Sequence, residues 1–265
     1  MNGRVLIIAG SDSGGGAGIQ ADIKTVTALG AYATTALTAL TAQNTLGVQA
    51  ILPVPPNFVQ QQIDSVLSDI GADAVKTGML LDHAVIEAAA DAVGRGAPRV
   101  PLVVDPVMVA TTGARLLDPR AIDALERRLI ARAALVTPNL PEAEALTGVR
   151  IAGFADMRRA GEALLRLGAK AVMVKGGHLP GEILSDLIVT DNGESFVLEA
   201  RRIPTQHTHG TGCTLASAIA AGLAQGMPLR AAVERAHGFV QEAIRSAPGL
   251  GRGRGPLNHA WQHDA

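Results

Sequence analysis

Short runs of branched and small apolar residues recur along the chain, separated by longer stretches with helical spacing, and that alternation restricts the fold more than any other feature. The runs at residues 5–9, 34–40, 74–76, 102–104, 135–137 and 171–174 are of strand length and largely apolar at successive positions, so each is expected to be buried on both faces. Strands of that kind belong in a mostly parallel sheet with helices on either side, because parallel neighbours need long, usually helical, crossovers. The expected class is therefore α/β. Ile19, Ile23 and Val26 share one face of a helix that Gly30 stops. Asp118-Pro119 opens another by cap and first-turn proline, with Ile122, Leu125 and Leu129 turned inward, and residues 156–167 form a third. Residues 183–190 and 195–200 flank Asp191-Asn192-Gly193, which reads as a late antiparallel hairpin. Two helices close the sequence, one from near Thr211 to Gly226 and one from Pro228 through Leu229, Val233, Ala236, Val240 and Ile244. With no internal repeat, and no low-complexity stretch beyond residues 251–255, residues 1–265 read as a single domain.

Composition removes several function classes. Lysine and arginine number 23 against 24 for aspartate and glutamate, a net charge of -1, so no basic field awaits a nucleic acid or an anionic membrane. Only six residues are aromatic in a chain that is 48% hydrophobic; aliphatic side chains must fill the core, and base-stacking platforms are not expected. Cys213 is the single cysteine, which excludes an intramolecular disulfide and a multi-thiolate zinc site and suits a reducing compartment, so a cytoplasmic location is expected. The first apolar run is too short for a signal peptide, and nowhere do eighteen apolar residues run uninterrupted. No membrane partner is expected.

In an open α/β sheet, ligands sit beyond the carboxyl ends of the strands. Those positions are polar and rich in glycine here: Gly10 to Gly18 after the first strand, then Gln43-Asn44, Lys76-Thr77-Gly78, Asp105-Pro106, Pro138-Asn139 and Lys175-Gly176-Gly177-His178. Glycine matters because backbone approaches a ligand closely only where side chains are absent. Gly16-Ala17-Gly18-Ile19-Gln20-Ala21 formally fits a dinucleotide-binding pattern, yet no acid occurs between Asp22 and Asp64 to hold a ribose. A phosphate loop of the Gly-Lys type is also absent. A tight strand-to-helix turn accounts for the loop equally well.

His209-Gly210-Thr211-Gly212-Cys213-Thr214 stands immediately before an apolar helical run. Glycines at a helix entrance leave backbone N–H groups unshielded, and the helix dipole adds positive potential, which makes an anion hole. A cysteine in that first turn is expected to lean toward thiolate, although a small buried thiol packing the helix is the plainer reading of a lone Cys. Asn139-Leu140-Pro141-Glu142 is accounted for as a helix cap with an acid reaching back. Alternatively, its amide and carboxylate could hold waters around a phosphate-bound Mg²⁺. Lys175 either offers a point charge to phosphate or snorkels at a strand end, and Asp105 is either a turn acid or a crevice group for metal-bound water or phosphate. His178 and His209 are readable as ordinary hydrogen-bonded loop histidines.

These segments, with Ala42-Gln43-Asn44-Thr45, Lys76-Thr77-Gly78-Met79-Leu80, Val104-Asp105-Pro106-Val107-Met108 and Gly255-Pro256-Leu257-Asn258-His259, occur together in an order that resembles the hydroxymethylpyrimidine/phosphomethylpyrimidine kinases of thiamine biosynthesis over nearly the whole chain. The first loop departs from the usual pattern, carrying Ser13 where a proline is common. The resemblance implies a ribokinase-like three-layer α/β/α sandwich, a homodimer, and ATP and Mg²⁺ as cosubstrate and metal. It implies a pyrimidine pocket with Gln43 on the aminopyrimidine and Asp22, Gly10 and Met79 nearby, since a side-chain amide offers both donor and acceptor. Lys175, Asn139 and Asp105 would then face ATP phosphates, with Glu142 and Asn139 holding Mg²⁺ through water. Gly210, Thr211 and Gly212 would form the anion hole, and Cys213 would take the hydroxyl proton. Competing readings are a pyridoxal kinase of the same superfamily, which Gln43-Asn44-Thr45 argues against, a non-catalytic pyrimidine-binding regulator, and a cysteine hydrolase lacking any identified group to orient its histidine.

Overall fold

In a computed structural model, which describes residues 1–110 and 113–263, the first apolar run becomes β1 (Arg4–Asp12). Successive side chains of a strand point to opposite faces, and β1 feeds two cores at once: Val5, Ile7 and Ala9 pack on one side of the sheet, Leu6 and Ile8 on the other, all essentially inaccessible. The other strands are β2 (Tyr32–Asn44), β3 (Gly47–Pro53), β4 (Ala74–Thr77), β5 (Leu102–Val104), β6 (Leu135–Val136), β7 (Ala171–Val174), β8 (Ile183–Thr190) and β9 (Ser195–Arg201). They form one sheet in the order β3-β2-β1-β4-β5-β6-β7-β8-β9. The pairs from β2 through β7 are parallel, while β3, β8 and β9 add antiparallel edges.

Helices cover both faces. On one lie α1 (Gly18–Ala28), α7 (Thr211–Ala224) and α8 (Leu229–Arg245); on the other lie α2 (Pro56–Asp69), α3 (His83–Gly96), α4 (Ile122–Arg128), α5 (Leu140–Thr147) and α6 (Phe154–Arg166). The three-layer α/β/α arrangement expected from sequence is thus present, with the late hairpin at β8–β9. The expectation fell short in two places. The second strand runs on past Leu40 to Asn44 and turns back as β3, because the exposed and polar positions of an edge hairpin give no continuous apolar run. In α1, Ile23 is exposed, and Asp22 takes the inward position between Ile19 and Val26.

That inward aspartate meets an inward lysine. Lys76 lies on β4, a strand buried at all four positions, and its ammonium reaches both carboxylate oxygens of Asp22 at 2.9 Å; Ser217 Oγ of α7 donates to Asp22 Oδ1 at 2.7 Å. Both charged side chains have no exposure. Burial works against the Lys76 charge, but Asp22, with Asp105 behind it, outweighs it and holds the ammonium protonated. Removing one partner of such a pair strands a charge in the interior, which costs about 3–5 kcal/mol. Lys76→Met should lose that much stability in urea unfolding, and Lys76→Met with Asp22→Asn should regain most of it. A single variant as stable as the parent would show that the pair is dispensable.

Candidate active site

β1 is flanked by β2 on one side and β4 on the other, so the chain reverses direction across the sheet there, and the loops leaving the carboxyl ends diverge to leave a crevice. A cavity of about 1060 Å³ opens at that edge. Gly10, Gln43, Met79, Asp105, Asn139, Glu142, Lys175 and the Gly210-Thr211-Gly212-Cys213 run all line it. Of the residues given a catalytic or binding role from sequence, Asp22 alone does not. It is shut behind the wall by Lys76 and Ser217, so the expectation that it touches a pyrimidine is replaced by a supporting role beneath the site.

The entrance to α7 is built by the tight fit of two loops. Gly210 has φ +87°, and a Cβ there would lie 1.8 Å from the Gly16 carbonyl oxygen, so only glycine permits the contact. The α7 entrance has no side-chain cap; Thr211 N–H donates to the Thr208 carbonyl at 3.3 Å, and the amides that follow in the first turn are those suited to an anion. A Cβ on Gly212 would lie 3.3 Å from Lys175 Nζ and 3.6 Å from Asp105 Oδ2, which brings a lysine ammonium to the same point. Lys175 Nζ donates to Asp105 Oδ1 at 3.2 Å. Burial opposes its charge, but Asp105 and Glu142 prevail and raise its pKa.

Asn139 and Glu142 form the complete capping box: Glu142 N–H donates to Asn139 Oδ1 at 2.9 Å, and Asn139 N–H donates to Glu142 Oε2 at 2.8 Å. Capping and site readings are therefore compatible, because the same carboxyl lies in the cavity wall. Burial, resisted by Lys175 and reinforced by Asp105, pushes Glu142 up to about 7.

Cys213 departs from expectation. It is partly exposed toward the cavity, and the helix entrance was expected to favour thiolate. Desolvation is the larger effect: it pushes the thiol up to about 12, against the opposing pull of Lys76 and the Gly18 N–H. At neutral pH the sulfur carries its proton.

Sequence reasoning missed the hub formed by His209, which lines the cavity with its Nε2 2.9 Å from Asp12 Oδ2 and 3.1 Å from the Gln43 amide. Asp12 also accepts from the amides of Gly14, Gly16 and Ala17. Burial disfavours its charge, but these contacts more than offset that and hold the carboxyl below its usual range. A lone histidine among glycines gives no hint of such a partner 197 residues away. Lys76 did leave a signal, since a lysine inside an apolar two-faced strand demands a buried acid.

Because the thiol is protonated in the free protein, iodoacetamide should label Cys213 much more slowly than a free thiol near neutral pH, with the rate climbing about tenfold per pH unit in the alkaline range. Labelling at a free-thiolate rate at neutral pH would contradict this.

Comparison with known proteins follows the same geography. Residues 12–258 match the model of a family described as phosphomethylpyrimidine kinase. The chain is 54% identical over 257 residues to the thiamine biosynthesis bifunctional protein ThiED of Geobacter sulfurreducens, covering 97% of this chain and 52% of that protein, so it spans about half of that relative's length. It is 52% identical over 270 residues to the hydroxymethylpyrimidine/phosphomethylpyrimidine kinase of Rhizobium meliloti, with 100% of each covered. Among solved structures, the ADP complex of a Bacillus subtilis pyridoxal kinase superposes with a TM-score of 0.91 over 100% of both chains at 36% identity. Identity on this scale across the full length of a relative carries one conclusion: the chain belongs to the phosphomethylpyrimidine kinase family.

Proposed function

We propose that the protein transfers the γ-phosphoryl group of ATP to the hydroxymethyl oxygen of 4-amino-5-hydroxymethyl-2-methylpyrimidine and then extends the monophosphate to the diphosphate. The observation that carries this reading is a single cavity holding an amide suited to an aminopyrimidine, Gln43, together with a cation-flanked helix entrance suited to phosphate. In each step the acceptor oxygen bonds to the γ-phosphorus, the bond from that phosphorus to the bridging oxygen breaks, and ADP departs with its electron pair. Phosphoryl transfer of this kind depends mainly on positioning and charge stabilisation. Gly10 and Met79 close the acceptor wall, the free amides of the Gly210–Gly212 entrance receive the equatorial oxygens, with Thr211 N–H tied to the Thr208 carbonyl, and Lys175 meets the nucleotide phosphates.

Mg²⁺ fits the donor set. Glu142 and Asp105 are almost fully buried beside one lysine, and burial, with Asp105, raises the Glu142 proton affinity, a cost that a bound cation would offset. Among the described residues no group of three His, Cys, Asp or Glu could hold a metal unaided, so waters and substrate phosphates would have to supply the remaining ligands. Glu142 and Asn139 would hold it through water, with Asp105 on the phosphate side, and the ion would supply charge neutralisation. The edge hairpin exposes Leu40, Leu46 and Leu52, and we assign that face to a homodimer. Among the described residues no helix is long and apolar enough to cross a membrane, and a free thiol suits the cytoplasm.

The superposition with a pyridoxal kinase favours a second reading, phosphorylation of a B6 aldehyde or alcohol. ATP consumption with each acceptor separates the two; a strong preference for pyridoxal would reverse the assignment. Gln43→Ala should raise the acceptor KM by the loss of a directed polar contact, about 0.5–1.5 kcal/mol, and leave the ATP KM unchanged. A rise confined to the ATP KM would place Gln43 in the wrong half of the site.

Cys213 is assigned as proton acceptor for the first transfer. That role needs the thiolate, whose share rises with pH up to the thiol's own titration at about 12. First-step kcat should therefore climb on the alkaline side of neutrality. Cys213→Ala should lower that kcat on the order of 10²–10⁴-fold and flatten the profile, while the second step, whose acceptor is already an anion, should suffer less. A folded alanine variant with the parental rate and slope would make the thiol structural.

A further inference from the structure

We propose that His209 and Thr41 fix the orientation of the Gln43 side-chain amide, and that this fixed orientation lets the site select acceptors by the order of hydrogen-bond donor and acceptor on the pyrimidine edge. The inference rests on the proposed role of Gln43 at the acceptor and goes beyond it by naming what sets its polarity.

As placed, the amide nitrogen lies 3.1 Å from His209 Nε2 and the amide oxygen 3.2 Å from Thr41 Oγ1, and the hydrogens of the two partners reverse that assignment. An amide oxygen and nitrogen are nearly the same size, so the partners decide which faces which. Two hydrogen assignments, made independently, give the same answer. Asp12 is an ionised acceptor for three backbone amides, so the 2.9 Å contact of its Oδ2 with His209 Nε2 requires the hydrogen on that nitrogen. This holds whether the ring is neutral or charged. That nitrogen has one hydrogen, shared between Asp12 and the amide, and no lone pair to accept with; an amide NH₂ facing it would set hydrogen against hydrogen, so the amide must turn its oxygen toward His209. On the other side, the single hydroxyl hydrogen of Thr41 is committed to the Ser11 carbonyl at 2.9 Å. Thr41 Oγ1 can then only accept, and the amide must turn its nitrogen toward Thr41.

The rest of the residue is equally constrained. Gln43 N–H donates to Ser13 Oγ at 2.8 Å and Ser13 Oγ donates to the Gln43 carbonyl at 2.9 Å. His209 has no room to swing, because a Cβ on Gly16 would already lie 2.5 Å from its Cδ2. What remains for a ligand is one amide N–H and one carbonyl lone pair in fixed order. A 4-aminopyrimidine presents a ring-nitrogen acceptor beside an amino donor, which this order complements. The 4-oxo analogue, 5-hydroxymethyl-2-methylpyrimidin-4-one, presents ring N–H beside a carbonyl and reverses the pattern. A free amide could flip to meet it; one held at both ends cannot without leaving buried polar groups unpaired.

His209 and Thr41 thus act as positioning residues. The test measures kcat/KM for the amino and oxo pyrimidines in the parent, His209→Phe, Thr41→Val and His209→Gln. The parent should prefer the amino compound strongly. His209→Phe and Thr41→Val should each lower that preference at least about tenfold through the acceptor KM, with the ATP KM within about twofold of the parent. His209→Gln, which restores an N–H donor, should recover part of the preference. If the parent turns over the aminopyrimidine and both lock variants keep its full preference, the inference is overturned; should His209→Phe fail to fold, Thr41→Val decides alone. A parent that turns over neither compound overturns the kinase reading, and this inference with it.

Discussion

The reversal of strand order at β1 is the constraint on which the remaining structure depends. A parallel sheet buried on both faces sends every crossover over one layer of helices or the other, and only where the direction changes do neighbouring loops part. β1 stands at that point, between β2 and β4. Its carboxyl end opens into the glycine loop, and the first residues of that loop form one wall of the cavity. Gln43, at the carboxyl end of β2, and Lys175, directly after β7, then fall on opposite sides of the reversal.

Glycine ties the two sides together by permitting close approach. Gly16 and Gly210 bring the first loop against the α7 entrance, and the segment after α8 seals the contact: His209 N–H donates to the Gly255 carbonyl at 3.1 Å and Arg254 N–H to the Thr45 carbonyl at 3.0 Å. Gly253 packs so closely that a Cβ would lie 2.2 Å from that same Thr45 oxygen. The glycines of the run near the end of the chain are therefore structural, leaving no room for a Cβ where the strap passes Thr45 and His207.

Charge in this site is arranged in two tiers. Lys175, Asp105 and Glu142 face the cavity, whereas Lys76 and Asp22 lie one layer deeper with no solvent contact. The deeper pair contributes no net charge, yet its cation lies on the side that eases the cost of a thiolate at Cys213 and its anion on the side that adds to it. Gly18 and Asp22 are one helical turn apart on α1, as are Cys213 and Ser217 on α7. The two helices are thereby linked twice, through Gly18 with Cys213 and Asp22 with Ser217.

The sequence by itself determined the class of fold, the parallel core strands, the late hairpin and the closing helices, because apolar periodicity is a local consequence of which face is buried. It also determined the positions of the glycine loops and of Asn139, Lys175 and Cys213 at strand and helix ends, since those follow from where the elements stop. Edge strand β3 stayed hidden because a half-exposed strand leaves only a weak pattern. What the tertiary structure alone decided are the quantities that depend on distant partners. Asp22 was read as a ligand contact and is an interior counter-ion, because Lys76 arrives from 54 residues away. Cys213 was read as thiolate-leaning and is held protonated, because desolvation by the surrounding layers outweighs a helix entrance visible in six residues. His209 was read as an ordinary loop histidine and is the bridge from Asp12 to Gln43. Hydrogen-bond polarity and proton affinity are set by everything within a few ångströms, and only folding brings those groups together.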